Sequence, residues 1–234
     1  MKNILKTYPV VSTLTFICLF LGILTSIYGD PMYDLLAFHS QPVYDWQYIS
    51  GTLMHGSKGA PLWFLWLHLL LNWLMILPFG GLLERKRGSK HVLLVFVTAT
   101  VISSIAFHLL TLGQKIQATG ISAVGYAFIT GGVMLLPKLW KGLSCVAKLC
   151  YLFLILLSSL MLLPMITGWI STFLHLSGIA SYLLVFSSAN TLRKNASVIR
   201  WFIRILRFTD IQEFSLGCLF LSKKLKFPLL FFWF

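Results

Sequence analysis

Residues 62–83 read LWFLWLHLLLNWLMILPFGGLL, an apolar run without a charged side chain that nevertheless carries His68 and Asn72. An α-helix rises about 1.5 Å per residue, so this stretch is long enough to cross the ~30 Å hydrocarbon core of a bilayer. In lipid the backbone finds no water, so such a run must satisfy its own N–H and C=O groups as a helix. His68 and Asn72 are spaced i,i+4 and project from one face of it. The stretch is read as a transmembrane helix with a polar face.

Five further runs have the same character: Pro9–Tyr28 and residues 92–112, 119–137, 149–166 and 168–189. None contains Asp, Glu, Lys or Arg. The chain as a whole is 58% hydrophobic with a mean hydropathy of +0.85 and only 11% charged residues. A soluble domain would need far more polar surface over its core. The predicted fold is therefore all-α, a polytopic membrane bundle of six transmembrane helices over residues 1–190. A basic, partly apolar cytoplasmic or interfacial tail follows over 191–234. The run after Lys2 and Lys6 is too long for a cleaved signal peptide and lacks a small-x-small site, so it reads as an uncleaved signal anchor.

Lys and Arg number 19 against 6 Asp and Glu. In a soluble chain that imbalance would raise nucleic acid as a partner. Here the cations fall in alternate short loops, which excludes that reading and points to an anionic leaflet. Lys2 and Lys6 precede the first run, and Glu84, Arg85, Lys86, Arg87 and Lys90 follow the second. Lys138, Lys141 and Lys148 follow the fourth, and Arg193, Lys194, Arg200, Arg204 and Arg207 follow the sixth. The intervening loops hold only Lys58 and Lys115. Both termini are expected in the cytoplasm, in the inner membrane of a bacterium.

Three regions are less regular. The first external loop, residues 29–61, is rich in Tyr and Trp, and reads either as an interfacial aromatic belt or as a loop dipping into the outer leaflet. Residues 193–208 read as a basic, partly amphipathic surface helix; residues 214–234 are too interrupted for a seventh span. Cys18, Cys145, Cys150 and Cys218 form no Cys-x-x-Cys pair and are expected as packing residues in the membrane core.

Polar residues inside spans are costly and mark functional sites by default. With the loops oriented, His68 and Asn72 fall two to three turns into the second span, Ser122 one turn into the fourth and His175 two turns into the sixth. Three helices thus place Ser, His, His and Asn at one depth in the outer half of the membrane. A lone membrane serine commonly bonds its own i−4 carbonyl, a lone Asn serves as interhelical glue, and His91 and His108 read as interfacial or packing residues. Convergence at one depth sets the other four apart. Ser122 follows Thr119-Gly120-Ile121 at a small-residue helix entry, where its amide and the helix N-terminus face a developing oxyanion. Tyr126 lies one turn on, and Gly178 lies one turn beyond His175, which lets the sixth helix approach the fourth. With no carboxylate in any span, a Ser122–His175 dyad is the chemistry that remains, with a histidine metal site as its competitor.

These residues resemble the rhomboid family of intramembrane serine proteases. His68-Leu-Leu-Leu-Asn72 resembles the family's His-x-x-x-Asn, and Phe79-Gly80-Gly81-Leu82-Leu83-Glu84-Arg85 with Gly88-Ser89 resembles the end of that helix. Gly120-Ile121-Ser122-Ala123 with Tyr126 resembles Gly-x-Ser-Gly and its tyrosine. His175-Leu176-Ser177-Gly178 resembles the histidine helix, and Asp45-Trp46 the start of the Trp-Arg motif. The resemblance implies cleavage of transmembrane protein substrates near their external end. Ser122 would attack, His175 would act as base and then acid, and the Ser122 amide, Asn72 and His68 would hold the oxyanion. Tyr126 would pack on the histidine ring. It implies no metal, nucleotide or other cofactor.

Four departures accompany the resemblance. Ala123 replaces the second glycine of the serine motif, and Gln47 replaces the arginine after Trp46. Tyr182 stands where a second glycine is expected after His175, which predicts a looser contact between the fourth and sixth helices. The loop between His55 and His68 is longer than usual. They leave open a second reading: a catalytically weak or inactive relative that binds membrane clients.

Overall fold

The computed structural model describes residues 7–213, with residues 192–213 as helical backbone alone. The expected features of residues 214–234, and the Lys2 and Lys6 of the N-terminus, lie outside the described residues. The chain divides into two compact units, Met1–Ser187 and Ser188–Phe234. The first holds every candidate site residue.

Helix α1, Pro9–Tyr28, opens with proline at its first turn, where the missing N–H is no loss. Its next donors are satisfied from far along the chain. The buried Glu84 carboxylate accepts the Val10 N–H at 2.9 Å and the Val11 N–H at 3.0 Å. The loop after α1 then forms α2 (Asp30–Leu36), strand β1 (Phe38–His39) and α3 (Gln47–Leu53). The second span is composite: α4 (Leu62–Met75), a π-helical turn (Ile76–Gly80) and α5 (Gly81–Arg87). Pro78 explains the turn, since proline lacks the N–H and its ring crowds the carbonyl one turn back. The chain continues through α6 (Ser89–Leu110), β2 (Gln117–Ala118), α7 (Ser122–Leu139), α8 (Cys145–Leu160), the short α9 (Pro164–Thr167) and α10 (Trp169–Glu213).

Among the described residues, five helical stretches are long and apolar enough to cross a membrane: Pro9–Tyr28, Leu62–Arg87, Ser89–Leu110, Ser122–Gly142 and Trp169–Thr191. The fifth expected span is the shorter apolar α8, whose 16 residues reach about 24 Å at 1.5 Å each. The protein is an all-α polytopic bundle; the two-residue strands, paired antiparallel with Phe38 opposite Ala118, are the only sheet among the described residues.

α7 is the central helix. Its span is 61% buried, against 28–39% for the other four. Glycines make this possible: the Cβ positions of Gly125, Gly131 and Gly132 are occupied by Met75, by the Tyr182 ring and by the Phe79 ring. The remaining helices turn large side chains outward, among them Phe16, Phe20, Leu94, Val101, Phe153 and Leu184, as a lipid-facing surface requires. Cys18 is buried, but Cys145 and Cys150 are exposed. These two are not core packing residues, because α8 turns them to the same outward face as Leu149 and Phe153.

The aromatic loop after α1 is an ordered layer. Gln47, with no exposed surface, accepts the Val43 N–H at 2.9 Å and donates to the Asp34 carbonyl at 2.8 Å. A neutral amide thus ties the loop together where an arginine was expected. Trp46 stacks on Tyr44 with centroids 4.3 Å apart and donates to the Leu35 carbonyl.

Candidate active site

The start of α7 is set by Gly120. Its φ of +121° is closed to residues bearing a Cβ, and it turns the chain out of β2 so that Ser122 becomes the first helical residue. The sequence reading put Ser122 one turn inside its span. It stands instead at the helix start, because Thr119, Gly120 and Ile121 belong to the preceding loop. That loop is fastened on two sides to the layer that follows α1. The Gly120 N–H donates to the Gly51 carbonyl at 3.0 Å, and the Thr119 hydroxyl donates to the Gly56 carbonyl.

At a helix start the first amides have no acceptor within the helix. The Gly125 N–H is the first to bond back, to the Ile121 carbonyl at 2.9 Å. The Ser122, Ala123 and Val124 amides, with the positive end of the helix dipole, are therefore available to an anionic oxygen near Ser122.

His175 comes from α10, with Nε2 3.1 Å from Ser122 Oγ. The approach depends on Gly178: a Cβ there would overlap the Ala123 carbonyl, so α10 lies directly against the α7 backbone. Further along, Tyr182 does not loosen the contact. Its ring is fully buried and fills the space above Gly131, so the small residue stands on α7 and the large one on α10.

Tyr126 stacks on the His175 ring, with centroids 4.3 Å apart and planes inclined by 26°. Its hydroxyl donates to the Ser158 carbonyl of α8 at 2.6 Å, which fixes the ring that supports the histidine. Ser158 was not a candidate from sequence. Its only signal is a serine pair, Ser158-Ser159, in an otherwise apolar helix.

His68 and Asn72 of α4 reach the same place. A Cβ on Gly120 would lie 2.8 Å from His68 Nε2 and 3.8 Å from Asn72 Nδ2. Asn72 donates one amide hydrogen to the His68 carbonyl at 3.0 Å, leaving its second hydrogen for another acceptor. His55, in the loop outside the spans, packs edge-on against the His68 ring at 5.2 Å. Its buried imidazole is pushed down to about 3, first by desolvation and then by the neighbouring His68. His91 and His108 lie elsewhere, edge-on to Tyr182 and Tyr48 respectively. Among the described residues no group of three or more His, Cys, Asp or Glu is placed to hold a metal ion.

Chemically, the arrangement pairs a hydroxyl with an imidazole acceptor in an apolar wall, beside two side chains and a helix start rich in N–H donors. Such a pairing is suited to nucleophilic chemistry on a carbonyl group.

Apolar crossing helices gathered around one buried helix define a polytopic integral membrane protein. A model of the Rhomboid domain matches residues 45–189, more than half of the chain, and the chain belongs to the rhomboid family. It is similar to Rhomboid protease GlpG of Haemophilus influenzae, with 30% identity over 104 residues. That match covers 41% of this chain and 50% of the relative, so the chain spans about half the length of the curated protein it matches.

Proposed function

We propose that the protein is an intramembrane serine endopeptidase that cleaves transmembrane proteins near the external side of the bilayer. The observation that carries this reading is the 3.1 Å hydrogen bond between Ser122 Oγ and His175 Nε2. In the proposed mechanism His175 accepts the Ser122 hydroxyl proton as Oγ attacks the scissile carbonyl carbon. The resulting oxyanion accepts hydrogen bonds from the Ser122 amide, the free Asn72 N–H and His68 Nε2. His175 then gives its proton to the leaving amine, which departs as the acyl-enzyme forms. Water, deprotonated by His175, attacks the acyl carbon and releases Ser122. Tyr126, stacked on the ring, limits the motion of His175 between these steps.

The alternation of loop charges supports both termini lying in the cytoplasm of a bacterial cell, with the serine loop opening outward. It also supports a membrane domain over 1–190 and a basic tail over 191–234. Reporter fusions after Asn190 should be active in the cytoplasm and fusions at Gln114 outside it; the reverse pattern would remove the outward-opening site.

The test of the enzyme is covalent labelling. A fluorophosphonate should label the purified protein, and labelling should disappear in Ser122→Ala, which lacks the attacking atom, and in His175→Ala, which lacks the base. Labelling that survives in Ser122→Ala would move the nucleophile to another serine. An unlabelled wild type that also leaves a membrane substrate intact would favour the alternative, a client-binding relative without activity.

A further inference from the structure

The long loop between His55 and His68 brings Gly56 onto the His68 ring. The Gly56 N–H donates to His68 Nδ1 at 3.3 Å. A backbone amide can only donate, so Nδ1 must be the unprotonated nitrogen, and the ring proton must reside on Nε2. Nε2 is the atom that faces the serine loop, 2.8 Å from the Cβ position of Gly120. The opposite tautomer would turn a lone pair toward the oxyanion and set two hydrogens against each other at Gly56.

The position of Gly56 is itself closely determined. Its φ is +90°, and a Cβ there would strike the Tyr33 hydroxyl and lie 3.1 Å from Leu65 Cβ. Tyr33 in turn donates to the adjacent His55 carbonyl at 3.1 Å. The Gly56 carbonyl accepts from Thr119, two residues before Ile121 and three before Ser122. One peptide segment therefore touches both the ring and the loop that starts α7. Resting on the enzyme reading above, we propose that the Gly56 amide is a positioning group that holds His68 as the neutral Nε2–H tautomer, so that a donor faces the oxyanion.

The test uses the full chain labelled with 15N-histidine, with the His68 signals assigned by their loss in His68→Gln. The unmodified protein should show an unprotonated Nδ1 and a protonated Nε2 at neutral pH. Replacing Gly56 by glycolic acid, a backbone ester, deletes only the N–H. It should mix the His68 tautomers and lower kcat toward a hundredfold, the scale of one lost oxyanion donor, with KM little changed. A protonated Nδ1 in the unmodified protein would overturn the proposal without any variant. An ester variant that keeps both the tautomer and full turnover would overturn it as well. If the unmodified protein shows the expected tautomer, the ester loses it, and neither form cleaves substrate nor takes the phosphonate, then the tautomer assignment stands and the enzyme reading falls.

Discussion

Gly178→Ala is the substitution in which structure and proposed chemistry meet most directly. The added Cβ would fall on the Ala123 carbonyl, with backbone on both sides and no flexible side chain to give way. Ordinary carbon–oxygen contact needs about 3.5 Å, so α10 must retreat from α7 by roughly 1 Å or more. The Ser122–His175 hydrogen bond is 3.1 Å long, and a retreat of that size takes it beyond hydrogen-bonding distance. Overpacking of this kind costs about 1–3 kcal/mol of stability, which leaves a bundle folded. A 1 Å misplacement of a reacting pair costs about a hundredfold in rate. The expected outcome is a folded protein that cleaves a model transmembrane substrate about a hundredfold more slowly and labels slowly with fluorophosphonate. Gly142→Ala is the control, since nothing lies within 4 Å of its Cβ position. Wild-type turnover in Gly178→Ala, with Gly142→Ala also normal, would refute the claim that close backbone approach sets the dyad distance.

Three further outcomes are expected. Asn72→Ala should lower turnover by about a hundred- to a thousandfold while leaving thermal unfolding near wild type; unchanged rates would remove Asn72 from the oxyanion site. Glu84→Ala strands the Val10 and Val11 amides and should cost roughly 3 kcal/mol in an SDS unfolding titration, with Glu84→Gln intermediate; a wild-type midpoint would show the carboxylate idle. His55 is held neutral in the fold, pushed down to about 3, whereas an exposed histidine protonates near 6.5. The opened loop therefore gains a proton that the packed loop refuses, and loop stability falls as pH drops from 6.5 toward 3 but is constant above 6.5. Amide exchange over residues 50–60, corrected for intrinsic rates, should quicken at pH 5 in wild type and not in His55→Leu; equal acid sensitivity in both would discard His55 as the cause.

The spans were legible because lipid leaves a backbone so few choices. α1 occupies Pro9–Tyr28, and uncharged length alone delimits it. α7 starts three residues after the apolar run 119–137 begins, because the uncharged Thr119, Gly120 and Ile121 carry that run through a loop whose turn is visible only in the φ of Gly120. Ser122, His175 and Tyr126 stand out in the sequence because each is chemically conspicuous in an apolar run, and the fold brings the three side chains together. What sequence withheld is contact at long range. Glu84 read as one charge in a basic loop, although it caps a helix that begins more than seventy residues earlier. Gln47 read as a loss, since nothing in its neighbours says that a neutral amide could bond four backbone groups. Gly56 and the Ser158 carbonyl act through backbone atoms, which every residue possesses and no residue type announces.

The pairing of Gly131 with Tyr182 carries a consequence for substitution. Any side chain larger than hydrogen at 131 would need the very space the tyrosine ring occupies. A glycine at 182 alone would instead empty a fully buried aromatic site. Neither position can therefore change by itself without a clash or a void, and each residue sets the condition under which the other fits.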